Sequence, residues 1–301
     1  MSLWKALDGA RVLDLAQPMR KGMPQSPNHP PFRMTLERRH GDVVRPGGGS
    51  AANEIIVTGG HVGTHVDALA HVSQDGLLHG GRPVAEVMTH EGFGELGIDA
   101  FEPYVGRCVL LDVAAVHGVP TLPAGYEVTA GDLERAAAGL ELRAGDALLI
   151  GTGWSRLWPS GPGAGPSGPS GPGAGPSGSS GPGASPSGSS GPGGGPSGTD
   201  FTGARDGAPG PGVEAARWLA ARRPRVVGGE TIAFEHVPPG RGHATLPVHR
   251  IMLVESGVNI VETMRLGELL DSGAREFLLV LNPLPIAGAT GAPVRPLAVL
   301  G

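Results

Sequence analysis

HVGTHVDALAHVSQDG, residues His61–Gly76, places three histidines and two aspartates in sixteen positions of a chain with 11 histidines in 301 residues. His61, Gly63, His65, Asp67 and His71 stand at odd positions, with Val62, Thr64, Val66, Ala68 and Ala70 between them. Such alternation suits a strand with one polar face. A single straight strand would nevertheless hold His61 and Asp67 roughly 20 Å apart at about 3.3 Å per residue, whereas ligands of one ion lie about 2 Å from it. A continuous helix instead turns Asp67 away from His61. The chain must bend, and Gly59, Gly60 and Gly63 supply the freedom. The spacing therefore predicts a strand ending near Gly60, a glycine-bent loop, and a helix opening near Asp67. That arrangement gathers His61, His65 and Asp67 and sets His71 one helical turn past Asp67.

Two imidazoles and a carboxylate suit Zn²⁺, Mn²⁺ or Fe²⁺ and leave coordination positions open to water. A cation held there lowers the pKa of its water toward neutrality. His71 then reads as a base beside the ligands or as a ligand to a second ion. A histidine pair four residues apart is more often surface or satisfied core. The aspartate, the glycines and the further histidine are what tilt this segment toward metal binding.

The rest of the chain narrows the setting. Hydrophobic residues at 39% supply a core, while a net charge of −5 without any Lys/Arg run argues against nucleic acid or an anionic membrane as partner. The one cysteine, Cys108, excludes an internal disulfide framework, fits a reducing compartment and reads as core. The start, MSLWKALDGARVLDL, has no signal-peptide pattern, and no apolar run approaches the roughly 18 residues of a spanning helix. A cytoplasmic protein is the expectation. No G-x-S-x-G elbow is present, which counts against a serine hydrolase.

From Gly161 a near ten-residue Gly/Pro/Ser repeat runs to Gly198 without glycine at every third position, so collagen is excluded. Lacking large apolar side chains, it cannot offset its ordering entropy. The reading is one domain over residues 1–301, interrupted by a disordered insert at 160–198 between Trp158 and Phe201.

Strands are predicted at Arg11–Leu15, Glu54–Thr58, Arg107–Val113, Ala147–Gly151, Pro224–Val227, Val258–Glu262 and Phe277–Leu281, each bounded by turn residues or a proline. Helices are predicted at Thr129–Ala138, Gly212–Arg222 and Leu266–Leu270. Together these imply an α/β domain with a mixed, barrel-like sheet and helices packed outside it. In VNIVE, Glu262 shares a strand face with Val258 and Ile260, so its carboxylate needs a cation or a hydrogen-bond partner. A pair with Arg265 or a helix-entry cap would equally satisfy it. His79 and His90 read as solvated loop residues, Asp75-Gly76 as a turn, and Arg295 as an anion contact or a buttress. Glu230 and Thr231 have no spacing argument behind them.

HVGTHVDALAH resembles the His-x-Gly-Thr-His-x-Asp-x-x-x-His signature of the cyclase family of metal-dependent hydrolases, which includes bacterial kynurenine formamidases and isatin hydrolases. VLDLAQPMRKGMP is similar to that family's opening strand and loop, and PVHRIMLVESGVNIVE and NPLPIAGATGAPVRPLAVL to its C-terminal blocks. The resemblance implies a swivelling β/β/α fold, a homodimer or larger assembly, and hydrolysis of an amide C–N bond in a small molecule such as an aryl formamide or a cyclic amide, as in tryptophan catabolism. It implies one or two ions of Zn²⁺ or Mn²⁺. It gives His61, His65 and Asp67 as metal ligands, His71 as proton carrier or second-metal ligand, and Glu262 and His249 as further residues at the metal. His249 read by itself is equally a core or surface histidine. A cyclase or dehydratase on the same scaffold, or a non-catalytic metal-binding protein, are the alternatives. The chain departs from the family pattern at Leu69, where proline is frequent, and in MPQSPNHPPF, which lacks an aromatic that some members place there.

Overall fold

The computed structural model describes residues 7–159, 201–242 and 245–301. Nine strands form one sheet: β1 Arg11–Asp14, β2 His65–Asp67, β3 Tyr104–Asp112, β4 Ala147–Gly151, β5 Val226–Gly228, β6 Asn259–Glu262, β7 Glu276–Leu281, β8 Gly291–Pro293 and β9 Leu297–Leu300. Their order is β1-β9-β7-β3-β4-β5-β6-β2-β8. The four strands β3 to β6 run parallel, and every other pairing is antiparallel. The sheet cannot be flat. At about 4.8 Å per strand, β8 and β9 would sit roughly 34 Å apart, yet Pro293 and Leu297 are four residues apart and reach at most about 14 Å. The sheet curls until its ends meet, and the seam is bridged by Ala16 with Met264 and by Gln17 N–H donating to Thr64 Oγ1 at 2.8 Å.

Alternation along the strands divides the core into two layers. Cys108, Leu110, Leu149, Val66 and Val261 point inward, with Leu279, Ala292 and Ala298. Val109, Leu111, Leu148, Ile150 and Ile260 point outward onto the helices. The outer layer holds α1 (Ala130–Ala136), begun by a capping box between Thr129 and Asp132. Beside it lies α2 (Val213–Ala221), which buries Ala215, Ala216, Trp218 and Leu219. There follows α3 (Pro247–His249), continued by a π-helical stretch Arg250–Glu255, whereas α4 (Gly267–Ser272), stopped by Gly273 at φ 70°, packs Leu269 into the inner layer. The mixed, barrel-like sheet with flanking helices expected from the sequence is the architecture found. Among the described residues no helix is long and apolar enough to cross a membrane.

Two expectations need correction or relocation. The helix opening near Asp67 does not form: His65–Asp67 is a strand clamped between β6 and β8, followed by a turn in which His71 N–H donates to the Ala68 carbonyl at 3.0 Å. Ladder bonds on both sides outweigh any local helical preference. The strand predicted at Glu54–Thr58 exists as Asn53–Val57 but lies outside the main sheet, paired with Arg33–Arg38 in a hairpin whose residues are all exposed. The Gly/Pro/Ser insert at 160–198 lies outside the described residues.

Candidate metal centre

Strand periodicity builds the centre. His65 and Asp67, two residues apart on β2, share a face, and the register sets Glu262 of β6 directly opposite His65. Val66 and Val261 take the other face into the barrel interior. The bend that brings His61 back over this face is at Gly63, whose φ of +73° is a left-handed conformation. Gly291 leaves room for the His61 ring, since a Cβ there would lie 2.5 Å from its Cε1. From the helical layer, α3 delivers His249.

These groups converge on Asp67. Its Oδ1 lies 2.7 Å from His61 Nδ1 and 3.4 Å from His65 Nε2, and its Oδ2 lies 3.5 Å from His249 Nε2. Glu262 contributes Oε2 at 3.4 Å from His65 Nε2 and Oε1 at 3.1 Å from His249 Nε2. The imidazoles are oriented from behind. The Gly63 carbonyl accepts from His65 Nδ1 at 2.8 Å, and Glu235 Oε1 accepts from both the backbone N–H and Nδ1 of His249, at 2.8 and 2.9 Å. In both rings the outer nitrogen carries hydrogen and Nε2 faces the carboxylates. His61 is held at both nitrogens, by Asp67 and by Thr290 Oγ1 at 2.9 Å, so one of those bonds must yield before it can ligate an ion. His71 stacks on His61 with ring centroids 3.9 Å apart, and no hydrogen bond to its ring is formed among the described residues.

Charge and burial fit a divalent cation. Asp67 and Glu262 are both buried, and among the described residues neither pairs with a lysine or arginine. Asp67 Oδ2 is buried without any hydrogen-bond partner, a costly arrangement unless something positive meets it. Donor atoms of His65, Asp67 and Glu262 lie within 4.8 Å of one another, as do those of His61, Asp67 and His71. Without an ion, protons take its place. Burial opposes charging His65, but the Asp67 and Glu262 carboxylates outweigh it and raise the pKa to about 10. His249 is likewise raised well above the ordinary value by Asp67, Glu235 and Glu262 against its burial. Burial and the Asp67 charge push Glu262 up, yet His249 and His65 hold it down at about 2. Asp67 lies well below the usual carboxylate range, its burial outweighed by the surrounding imidazoles. His71 goes the other way: burial lowers it to about 4, so the ring is neutral at pH 7.

All six residues singled out from the sequence therefore meet in one place. The pairing of Glu262 with Arg265 does not occur; Arg265 donates to the Asp14 carbonyl instead. Arg295 pairs with Asp14 at the seam. His79 is not a solvated residue, because its ring is half-buried and bonded to the Val254 carbonyl at 2.9 Å. Two participants were missed. Glu235 carries no signal beyond its place in GETIAFEH. His29, in the segment marked by its missing aromatic, stacks on His61 at 5.1 Å. Burial, with the charges of His61 and His65, lowers its pKa. The cavity over the centre holds about 180 Å³, bordered by His29, Ser26 and Asn28 on one side and Ile232 and Leu246 on the other.

A sequence model of the Cyclase family matches residues 13–236. Among solved structures, a protein described as a novel cyclase is 29% identical with a TM-score of 0.76, over 98% of this chain and 88% of that one. Isatin hydrolase A from Ralstonia solanacearum is 19% identical with a TM-score of 0.66, over 100% and 98%. A "predicted metal-dependent hydrolase" from Bacillus stearothermophilus is 22% identical with a TM-score of 0.55, over 96% and 98%.

Proposed function

The chain belongs to the Cyclase family, and from that premise we propose that it is a metal-dependent hydrolase that opens the C–N bond of a small amide, an aryl formamide or a cyclic amide. The observation that carries this reading is the unpartnered, buried Asp67 Oδ2 at the focus of His65, His249 and Glu262. Those four residues would hold the cation, with His61 joining if its bond to Asp67 or Thr290 gives way. The mixed nitrogen and oxygen donors suit Zn²⁺ or Mn²⁺. A bound cation supplies Lewis acidity and lowers the pKa of water at its open positions.

The protein's own groups do the rest. His71 is neutral, lines the cavity and is uncommitted in hydrogen bonding among the described residues, so it accepts a proton from the attacking water and returns it to the leaving nitrogen. Ile232 and Leu246 give the substrate an apolar wall opposite the polar Ser26, Asn28 and His29. The cavity, smaller than the roughly 300–1,000 Å³ of drug-sized sites, favours a substrate of about one ring system. Incubation in ¹⁸O water tests the reaction: hydrolysis labels the product carboxylate, and an unlabelled product points to cyclisation or dehydration. Elemental analysis of the purified protein tests the cation.

A homodimer is part of the proposal. Met34, Leu36, Ile55, Ile56 and Val57 of the projecting hairpin are all exposed, divided between its two faces. An isolated two-stranded hairpin is marginally stable in water, so a second copy is proposed to cover it. Light scattering that returns a monomer mass at all concentrations would remove that part.

A further inference from the structure

A second cavity, of about 620 Å³, lies at the barrel seam and shares no lining residue with the metal pocket. Gln17 borders it, with 4% of its surface exposed. Its backbone N–H donates to Thr64 Oγ1 at 2.8 Å, but its side-chain Nε2 is buried without a hydrogen-bond partner. Burying such a donor is costly unless a partner meets it from the adjoining space. Two guanidinium groups border the same space. Arg265 gives Nε and Nη2 to the Asp14 carbonyl at 3.2 and 3.0 Å, and Arg295 gives Nε and Nη2 to Asp14 Oδ2 at 3.0 and 2.9 Å. Among the described residues Nη1 of each makes no hydrogen bond. Two cations against the one Asp14 carboxylate leave the cavity with a single net positive charge. Met19 and Val294 add apolar wall.

We propose that this cavity is a binding site for a small monocarboxylate with an apolar body. Its carboxylate meets the free guanidinium edges and the Gln17 amide, and its body lies against Met19 and Val294. Guanidinium planes match carboxylates in geometry, and one compensating charge selects a monoanion over a phosphate dianion. The inference stands apart from the metal reading, because none of these residues reaches the metal pocket.

Calorimetric titration of the full chain with benzoate, with and without a chelator, tests it. Saturable one-to-one binding that persists in chelator is expected, weakened at least about tenfold in Arg295→Gln and in Gln17→Leu, as for lost charge-assisted hydrogen bonds. Benzamide, with the same ring and no charge, should bind at least about tenfold more weakly than benzoate. Absence of saturable binding at millimolar benzoate overturns the proposal, as does binding abolished by chelator or unchanged in both variants. Arg295 is exposed, so its variant decides the matter even if Gln17→Leu fails to fold.

Discussion

Glu230 and Asp67 are both carboxylates with 1% or less of their surface exposed, and they lead opposite lives. Glu230 is saturated. Its Oε2 accepts from Thr152 N–H, Thr152 Oγ1 and Gly153 N–H at 2.6, 2.8 and 2.7 Å, and its Oε1 from Ser155 N–H and Oγ at 3.2 and 2.6 Å. Every lone pair is spent on holding residues 152–155 beside β4. Asp67 keeps one oxygen without a hydrogen bond, with His249 Nε2 3.5 Å away, and the other among imidazoles. A buried acid whose donors are local backbone and hydroxyl groups is a staple. One whose neighbours are themselves potential ligands, and which still lacks a partner, is built for an ion.

That contrast can be broken by experiment. Asp67→Asn should abolish both bound metal and turnover while circular dichroism keeps the native signature; a full complement of metal in that variant would put Asp67 in the same class as Glu230. His71→Ala should lower the rate by about 10²–10⁴-fold with metal content retained, read by steady-state kinetics beside elemental analysis. Near-normal turnover would take His71 out of the chemistry. Glu230→Ala should do the reverse of Asp67→Asn, leaving metal stoichiometry intact and costing about 3 kcal/mol in urea unfolding, the scale for removing a buried charged hydrogen-bond partner. Metal loss there would mean the staple also serves the site.

Asp132 supplies the mildest case, a buried acid at a helix start. Burial pushes its pKa up, but hydrogen bonds from Thr129, His117 and Tyr126 outweigh this and hold it below the ordinary carboxylate value of 3.8. A folded-state pKa below the unfolded one means stability that is present above pH 4 or so and lost as pH falls through the folded value. Asp132→Ala should therefore cost about 1 kcal/mol at pH 7, in the range of a capping interaction, and the difference from the parent should shrink in acid. A gap that persists at pH 2 would assign the cost to packing.

What could be read in the sequence follows the range of the forces involved. Ala147–Gly151 appears as a strand with the bounds expected, because a short apolar run buried on both faces announces itself. Thr129 and Asp132 declare their helix start within four residues. The bend at Gly63 and the grouping of His61, His65 and Asp67 were legible for the same local reason. The element after the bend was not. His65–Asp67 is a strand because its partners, near 260 and near 292, lie far along the chain. Gly291–Pro293 escaped notice because Pro293 reads as a breaker, and it is tolerated there because β8 stands at the end of the strand order. Glu235 was invisible since a carboxylate that aims a histidine leaves no spacing to detect.

Arg11 pairs with Leu300, so the first and last strands of the sheet are immediate neighbours. At the other break in the chain, the Phe201 carbonyl accepts from Trp154 Nε1, and the rings of Trp158 and Phe201 meet edge to face at 4.9 Å. The polypeptide could thus be re-threaded, with Leu300 joined to Arg11 by a short linker and new ends opened between Pro159 and Phe201. Such a circular permutant would keep every strand contact while reversing which half of the site is synthesised first.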